Sequence, residues 1–355
     1  MNKTTSLTLA LLIPLLLGAV LLTLLDVTQT NAAPQNVIVV DTLIDENDGS
    51  CADGDCSLRD AIATAQIEDT INFSVNGTID IATLGQLTIN NRLTINGGNA
   101  ITITGNNATR LFKITGGAVT FDGLTLTNGF PTTADCSTGS QICGGALSIE
   151  SGTAVTITNS LIQDNQADRG GAIYAFFSAV HIDNSTFRNN SSDDLGGAIM
   201  MNFFGEIIIA DSLFDTNSSA QSVGGALFLD VNSATITDST FTNNLSDRGG
   251  AIYASSGNIT IQNSTIYDNF ARETGGGIQL STGMHLLQNV TVSDNFAEDG
   301  GGGILNSGNT KIINSTITEN RARTTGAGIM SAFSSNILTT MTNTLVVDNT
   351  VAVGG

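Results

Sequence analysis

The sequence predicts an all-β chain: a right-handed parallel β-helix, a solenoid of about 26-residue coils behind a short N-terminal capping helix. Three observations predict it. A mixed polar and apolar unit recurs eight times. Apolar residues inside each unit sit on alternate positions. A helical period of 3.6 is absent from the repeats, and Thr, Ile and Val dominate the runs between Gly, Asn, Ser and Asp turns.

The unit leads with Asn or Asp at Asn159, Asn184, Asp211, Asp238, Asn263, Asn289, Asn314 and Asn343. The steps between them are 25, 27, 27, 25, 26, 25 and 29 residues. Three residues on comes an apolar column: Ile162, Phe187, Phe214, Phe241, Ile266, Val292, Ile317 and Val346. Six residues on comes Asn every time: Asn165, Asn190, Asn217, Asn244, Asn269, Asn295, Asn320 and Asn349. A second apolar column precedes the leading residue, from Ile157 to Met341. A third closes the Gly-Gly segment, from Leu147 to Ile329.

Alternation such as Val155-Thr156-Ile157-Thr158 is strand periodicity with one face buried. A unit of this length holds three short strands and three turns. It cannot bury its apolar face alone, but stacked units can, each strand pairing with its equivalent in the next coil. Asn suits such a column because its amide can donate to the next Asn and also satisfy turn backbone. Gly-Gly supplies positive φ or close packing where the chain enters a strand. A leucine-rich repeat lacks its Leu pattern here, and a propeller blade is longer and antiparallel. Right-handed crossover is the expected hand.

Residues 70–128 read as looser coils of the same helix, as in Leu87-Thr88-Ile89 and Leu93-Thr94-Ile95. The organisation is then a signal peptide at 1–33, an N-terminal cap at 34–69 and a β-helix at 70–355. Its coils are irregular to about 143 and regular from 144. In the signal segment, Lys3 precedes the apolar run Leu7 to Leu25, and small residues follow at Ala32 and Ala33. A retained anchor is the alternative, and either exports the body. The chain stops at Gly354-Gly355, where the next Gly-Gly segment begins. It is expected to be an incomplete product whose C-terminal anchor or barrel is missing.

In an exported chain the even cysteine count points to Cys51–Cys56 and Cys136–Cys143 disulfides, against an alternative of four free thiols. Ser57 and Asp60 form a capping-box pattern, and Leu58, Ala61, Ile62 and Ala65 share a helical face. This helix is expected to plug the N-terminal end of the coil stack.

Cys56-Ser57-Leu58-Arg59-Asp60-Ala61-Ile62 resembles the N-terminal CSLREA domain of exported bacterial repeat proteins, with Asp60 where that domain has Glu. The coils resemble the polymorphic outer membrane protein repeat. Its GGAI motif stands at Gly170–Ile173, Gly196–Ile199 and Gly249–Ile252, and its FxxN motif at Phe187–Asn190, Phe214–Asn217 and Phe241–Asn244. The resemblance implies an exported or cell-surface protein. It also places the chain in the pectin-lyase-like superfamily, at the level of fold.

The function expected is therefore a non-enzymatic, adhesin-like or structural module, extracellular or on the outer membrane. The alternatives are a polysaccharide lyase or glycoside hydrolase, and a calcium-stabilised spacer. A lyase needs clustered carboxylates and a cationic base. Asp168-Arg169 and Asp247-Arg248 precede Gly-Gly but lie three coils apart, and Asp193-Asp194, Glu273 and Glu298-Asp299 occupy the same turn elsewhere. The densest acidic stretch holds Asp45, Asp48, Asp53 and Asp55, which are the calcium candidates. No other cofactor is expected.

His285 takes an inward position that Val155, Val180 or Ile259 holds in other coils, whereas His181 points outward, so they form no pair. The Asn-x-Ser/Thr triplets at Asn184, Asn263 and Asn314 are expected to point inward, which excludes glycosylation. A net charge of −20 with only 12 Lys and Arg excludes nucleic acid and anionic membranes as partners. A membrane is reached only through the missing C-terminal anchor or an uncleaved N-terminal segment. The partner expected is a surface ligand, glycan or protein. Phe176-Phe177 and Phe203-Phe204 form either an exposed ridge for it or packing beneath a turn.

Overall fold

The computed structural model describes residues 36–352, apart from residues 53, 134–135, 137–140, 151 and 333–336. The signal-peptide expectation, Asp53 and Gly354-Gly355 lie outside the described residues.

The chain winds as a stack of parallel coils. Register follows the sequence columns: Ile162, Phe187, Phe214, Phe241, Ile266, Val292, Ile317 and Val346 are successive partners. A regular coil holds four strands, or the expected three where the first two run together, as in Ile199–Ala210, Leu227–Thr237 and Ile252–Gln262. Ile173–Phe176 and Ala179–Asp183 face two walls, Thr186–Arg188 a third, and Ser191–Leu195 a fourth. The fourth wall is a separate eight-stranded sheet from Gln166–Arg169 to Thr350–Val351. Its inward column is small: Ala167, Ser192, Ser219, Ser246, Ala271, Ala297 and Ala322, all buried. So short a strand, with one small inward residue, shows no alternation in sequence.

The interior is one continuous apolar core. Phe187, Phe214 and Phe241 stack along it, with ring centroids 4.8 and 4.7 Å apart and planes 6° from parallel. Outside it, Tyr174, Met200, Val223, Phe228 and the Cys136–Cys143 disulfide make a satellite cluster on the outer face of the Gly-Gly strands. Sequence signals this second buried face as unbroken apolar runs, such as Ile173-Tyr174-Ala175-Phe176.

The corners demand left-handed backbone. Asn184 sits at φ 45° before the third strand and Asn189 at 53° before the fourth, and Asn or Asp recurs at both corners in most coils. The first Gly of each pair supplies a further positive φ. The second packs tightly instead: a Cβ on Gly197 would lie 2.0 Å from the Gly225 carbonyl oxygen.

The capping helix is Leu58–Thr64. Ser57 Oγ accepts from the Asp60 N–H at 3.1 Å and donates to Asp60 Oδ2 at 2.6 Å. Leu58 and Ala61 join the core of the first coils. Arg59 grips Asp45 at 2.9 and 2.8 Å and the carbonyls of Gly85 and Gln86 at 2.6 and 3.3 Å, tying cap to coil. The second bond, Cys51–Cys56, precedes the helix. No described helix is long and apolar enough to cross a membrane.

Candidate functional site

The Asn column is buried from Asn165 to Asn320, half-buried at Asn349, and internally satisfied. Each Nδ2 donates to Oδ1 of the next Asn at 2.9–3.0 Å, from Asn165 through to Asn349. The backbone N–H of each Asn donates to that same Oδ1, as Asn190 does to Asn217 at 3.1 Å. The other Nδ2 hydrogen reaches a third-strand carbonyl of the preceding coil, as from Asn217 to Phe187 at 3.0 Å. Gly129 N–H opens the ladder on Asn165 Oδ1 at 2.8 Å.

A second polar ladder was not read from the sequence. Ser160, Ser185, Ser212, Ser239 and Ser264 follow the leading residue and are buried. Each Oγ donates to a carbonyl two residues back and accepts the N–H of the residue one coil before, as Ser212 Oγ does from Ser185 at 3.2 Å. Val290 interrupts it, and Ser315 resumes it by accepting from the Val290 N–H at 3.1 Å.

The leading Asn residues themselves point outward. Asn184, Asn263 and Asn314 are exposed, which corrects the inward expectation. A left-handed corner turns the side chain to solvent and the following Ser to the interior. There they pair along the surface: Asn184 Nδ2 donates to Asn159 Oδ1 at 2.7 Å, and Asn343 to Asn314 at 2.8 Å.

The acidic turns bind cations one coil away. Arg169 pairs with Asp194 at 2.8 Å, Arg248 with Glu273 at 3.5 Å and Arg272 with Asp247 at 3.0 Å. Asp168 accepts the Ile142 N–H at 2.9 Å. Burial raises the pKa of the Asp215 carboxyl, but hydrogen bonds from Asn243 and Thr216 and the Arg188 guanidinium together hold it below its ordinary value.

His285 is 3% exposed and in register with Thr310, while His181 is exposed. Burial pushes the His285 pKa down. The Ser281 carbonyl 3.4 Å from Nε2 offsets this only in part, and Nδ1 has no hydrogen-bond partner among the described residues. Among the calcium candidates, Asp45 is engaged by Arg59, and carboxylate oxygens of Glu46, Asp48 and Asp55 gather within 4.8 Å. Glu46, from the same acidic stretch, stands in this group where Asp45 was expected.

Of the aromatic pairs, Phe176 is half-buried against the satellite cluster, and the other three rings stand out from the surface. Phe177, Phe203 and Phe204 are 54%, 45% and 54% exposed. Phe176 and Phe203 rings meet at 5.1 Å. Beside them runs an open groove of about 610 Å³ from Arg92 to Glu206, floored by Ala118, Ala154 and Ala179.

A family model described as a right handed beta helix region matches residues 77–266 and 224–354. No curated protein compared with the chain matches it. Parallel register, coil repeat and this match over most of the sequence agree: the chain belongs to the right-handed β-helix family.

Proposed function

We propose that the chain is an exported, cell-surface β-helix that acts as a non-catalytic, adhesin-like or structural module. One observation carries this reading: where the polar side chains go. Asn and Ser are spent inside in ladders, and the turn carboxylates are spent outside on Arg one coil away. Asp168-Arg169 and Asp247-Arg248, the pairs with a lyase-like composition, are divided among separate cross-coil contacts. The CSLREA-like segment, the GGAI and FxxN repeats and the two disulfides support export. A rigid rod built this way presents its outer face to a ligand.

The test is incubation of the full chain with a polysaccharide panel that includes polygalacturonate, following unsaturated uronide absorbance and reducing ends. No product is expected. Accumulating product would transfer the chain to the lyases or hydrolases. The calcium-stabilised spacer is a second reading, favoured by the convergence of Glu46, Asp48 and Asp55. It requires a melting temperature that calcium raises and chelator lowers; an unchanged melting temperature removes it.

A further inference from the structure

We propose that Asn263 and Asn314 are attachment sites for N-linked sugar, two coils apart on the corner that precedes the third wall. The inference rests on the reading of the chain as exported, since Asn-x-Ser/Thr is an acceptor in secreted proteins.

The outward turn of the leading Asn residues removes the reason for excluding glycosylation. In Asn263-Ser264-Thr265 and Asn314-Ser315-Thr316 the corner sorts the side chains by face. Asn263 and Asn314 stand at φ 51° and 50° and are exposed. Ser264 and Ser315 are buried in their ladder, and Thr265 and Thr316 are half-buried, each beside a buried Ile. Acceptor amide and third-residue hydroxyl thus lie on the same, outer side.

Hydrogen bonding separates these two from the rest of their column. Oδ1 of Asn263 accepts from Asn289 Nδ2 at 2.9 Å, and Oδ1 of Asn314 from Asn343 Nδ2 at 2.8 Å. Each amide is therefore oriented through its oxygen. Among the described residues its own Nδ2 has no acceptor, and the Thr265 and Thr316 hydroxyls have no partner. Asn184 and Asn289 each commit an Nδ2 hydrogen, to Asn159 and Asn263. Three exposed triplets lie off this column. At Asn107 the Thr109 hydroxyl is donated to the Arg110 carbonyl at 3.2 Å, and Asn258 lies within the paired strand Ile252–Gln262. The Asn189 side chain has no hydrogen bond among the described residues to orient it.

The fold does not demand the triplet. Asp serves the same corner at Asp211 and Asp238, Val290 replaces the Ser, and Leu161, Leu213 and Leu345 replace the Thr. Spacing then limits occupancy. One coil step of ~4.8 Å is narrower than a pyranose with its hydroxyls, so sugars on consecutive coils collide. Asn263 and Asn314, roughly 9.6 Å apart over two steps, can each carry one around a bare Asn289.

The donor class is a sugar joined through its anomeric carbon to a diphosphate, used by a separate transferase. Nδ2 forms the bond to the anomeric carbon and loses one hydrogen as a proton to the transferase's base. The carbon–oxygen bond to the diphosphate breaks, and the diphosphate leaves with the electron pair. Nothing is oxidised or reduced.

The experiment maps peptides of the full chain, recovered from its own cells, by electron-transfer fragmentation and mass spectrometry. A mass gain of whole sugar residues is expected on Asn263 and Asn314. No gain at either, or a gain on the buried Asn190, Asn217 or Asn244, would overturn the assignment. Variants Asn263→Asp and Asn314→Asp keep a residue this corner accepts, and Thr265→Val and Thr316→Val keep the strand; circular dichroism checks each fold. Each is expected to lose the sugar of its own triplet alone, and sugar persisting in the Val variants would overturn the sequon as the signal. Fractionation of the same cells keeps the two readings apart. A surface chain without sugar sinks the glycan sites alone, and a modified chain retained inside sinks the surface role alone.

Discussion

Asn190 donates its side-chain N–H to Asn217 Oδ1 at 3.0 Å and its backbone N–H to the same oxygen at 3.1 Å. One acceptor therefore satisfies two donors of the coil before it, and each coil sets the polar environment of its neighbour. This is how a 25–29-residue unit with little local structure becomes stable: its buried polar groups find partners only in the stack.

Val290 marks the one gap between the Ser ladder's two described stretches. Val290→Ser is expected to place an Oγ where it accepts the Ser264 N–H and donates to the Gln288 carbonyl, the pattern of Ser239 and Ser264. The new bonds offset the lost apolar burial, so stability should change by less than about 1 kcal/mol. Denaturant midpoints check it; a loss of several kcal/mol would show that the ladder does not extend through this coil.

Gly197 and Gly152 separate two uses of glycine. A Cβ on Gly197 meets the Gly225 carbonyl at 2.0 Å, whereas one on Gly152 meets nothing within 4 Å. Gly197→Ala should cost roughly 3 kcal/mol because the coils must move apart. Gly152→Ala should cost only the left-handed strain, about 1 kcal/mol. Thermal unfolding of the two variants side by side tests the ranking.

His285 gives a pH prediction. Its folded pKa lies below the ordinary 6.5, so the folded state prefers the neutral ring. The unfolded chain binds the proton first as pH falls. The stability contribution is therefore complete above about 6.5 and lost below it, by at most about 1.4 kcal/mol per pH unit, until the folded pKa is passed. His285→Ile, the residue in register one coil earlier at Ile259, should flatten the wild-type-minus-variant difference between pH 7 and 5. Parallel curves would contradict the assignment.

The columns were legible because parallel stacking forces like residues into register, so Ile162, Phe187 and Phe214 repeat at coil spacing. The fourth strand was not, since Ser218–Ser219 is two small residues with nothing to alternate. Asn184 misled because a side chain's direction at a corner depends on φ, which composition leaves open. Ser185 was hidden inside a sequon. Asp45 looked like a calcium ligand until Arg59, fourteen positions away, claimed it. The groove was invisible because it depends on what Ala179 lacks and on where two Phe backbones are held.

The central claim is that the Asn column is the spine of the coil and not a binding face. Adjacent residues test it directly: Asn244 is buried in the ladder and Asn243 is exposed at the corner. Denaturant unfolding of Asn244→Ala is predicted to lose roughly 3 kcal/mol or more, because Asn217 loses its acceptor and the Phe214 carbonyl its donor. Asn243→Gly, which keeps the positive φ, should lose less than about 1 kcal/mol. Equal losses, or an Asn244→Ala variant as stable as the parent, would contradict the account.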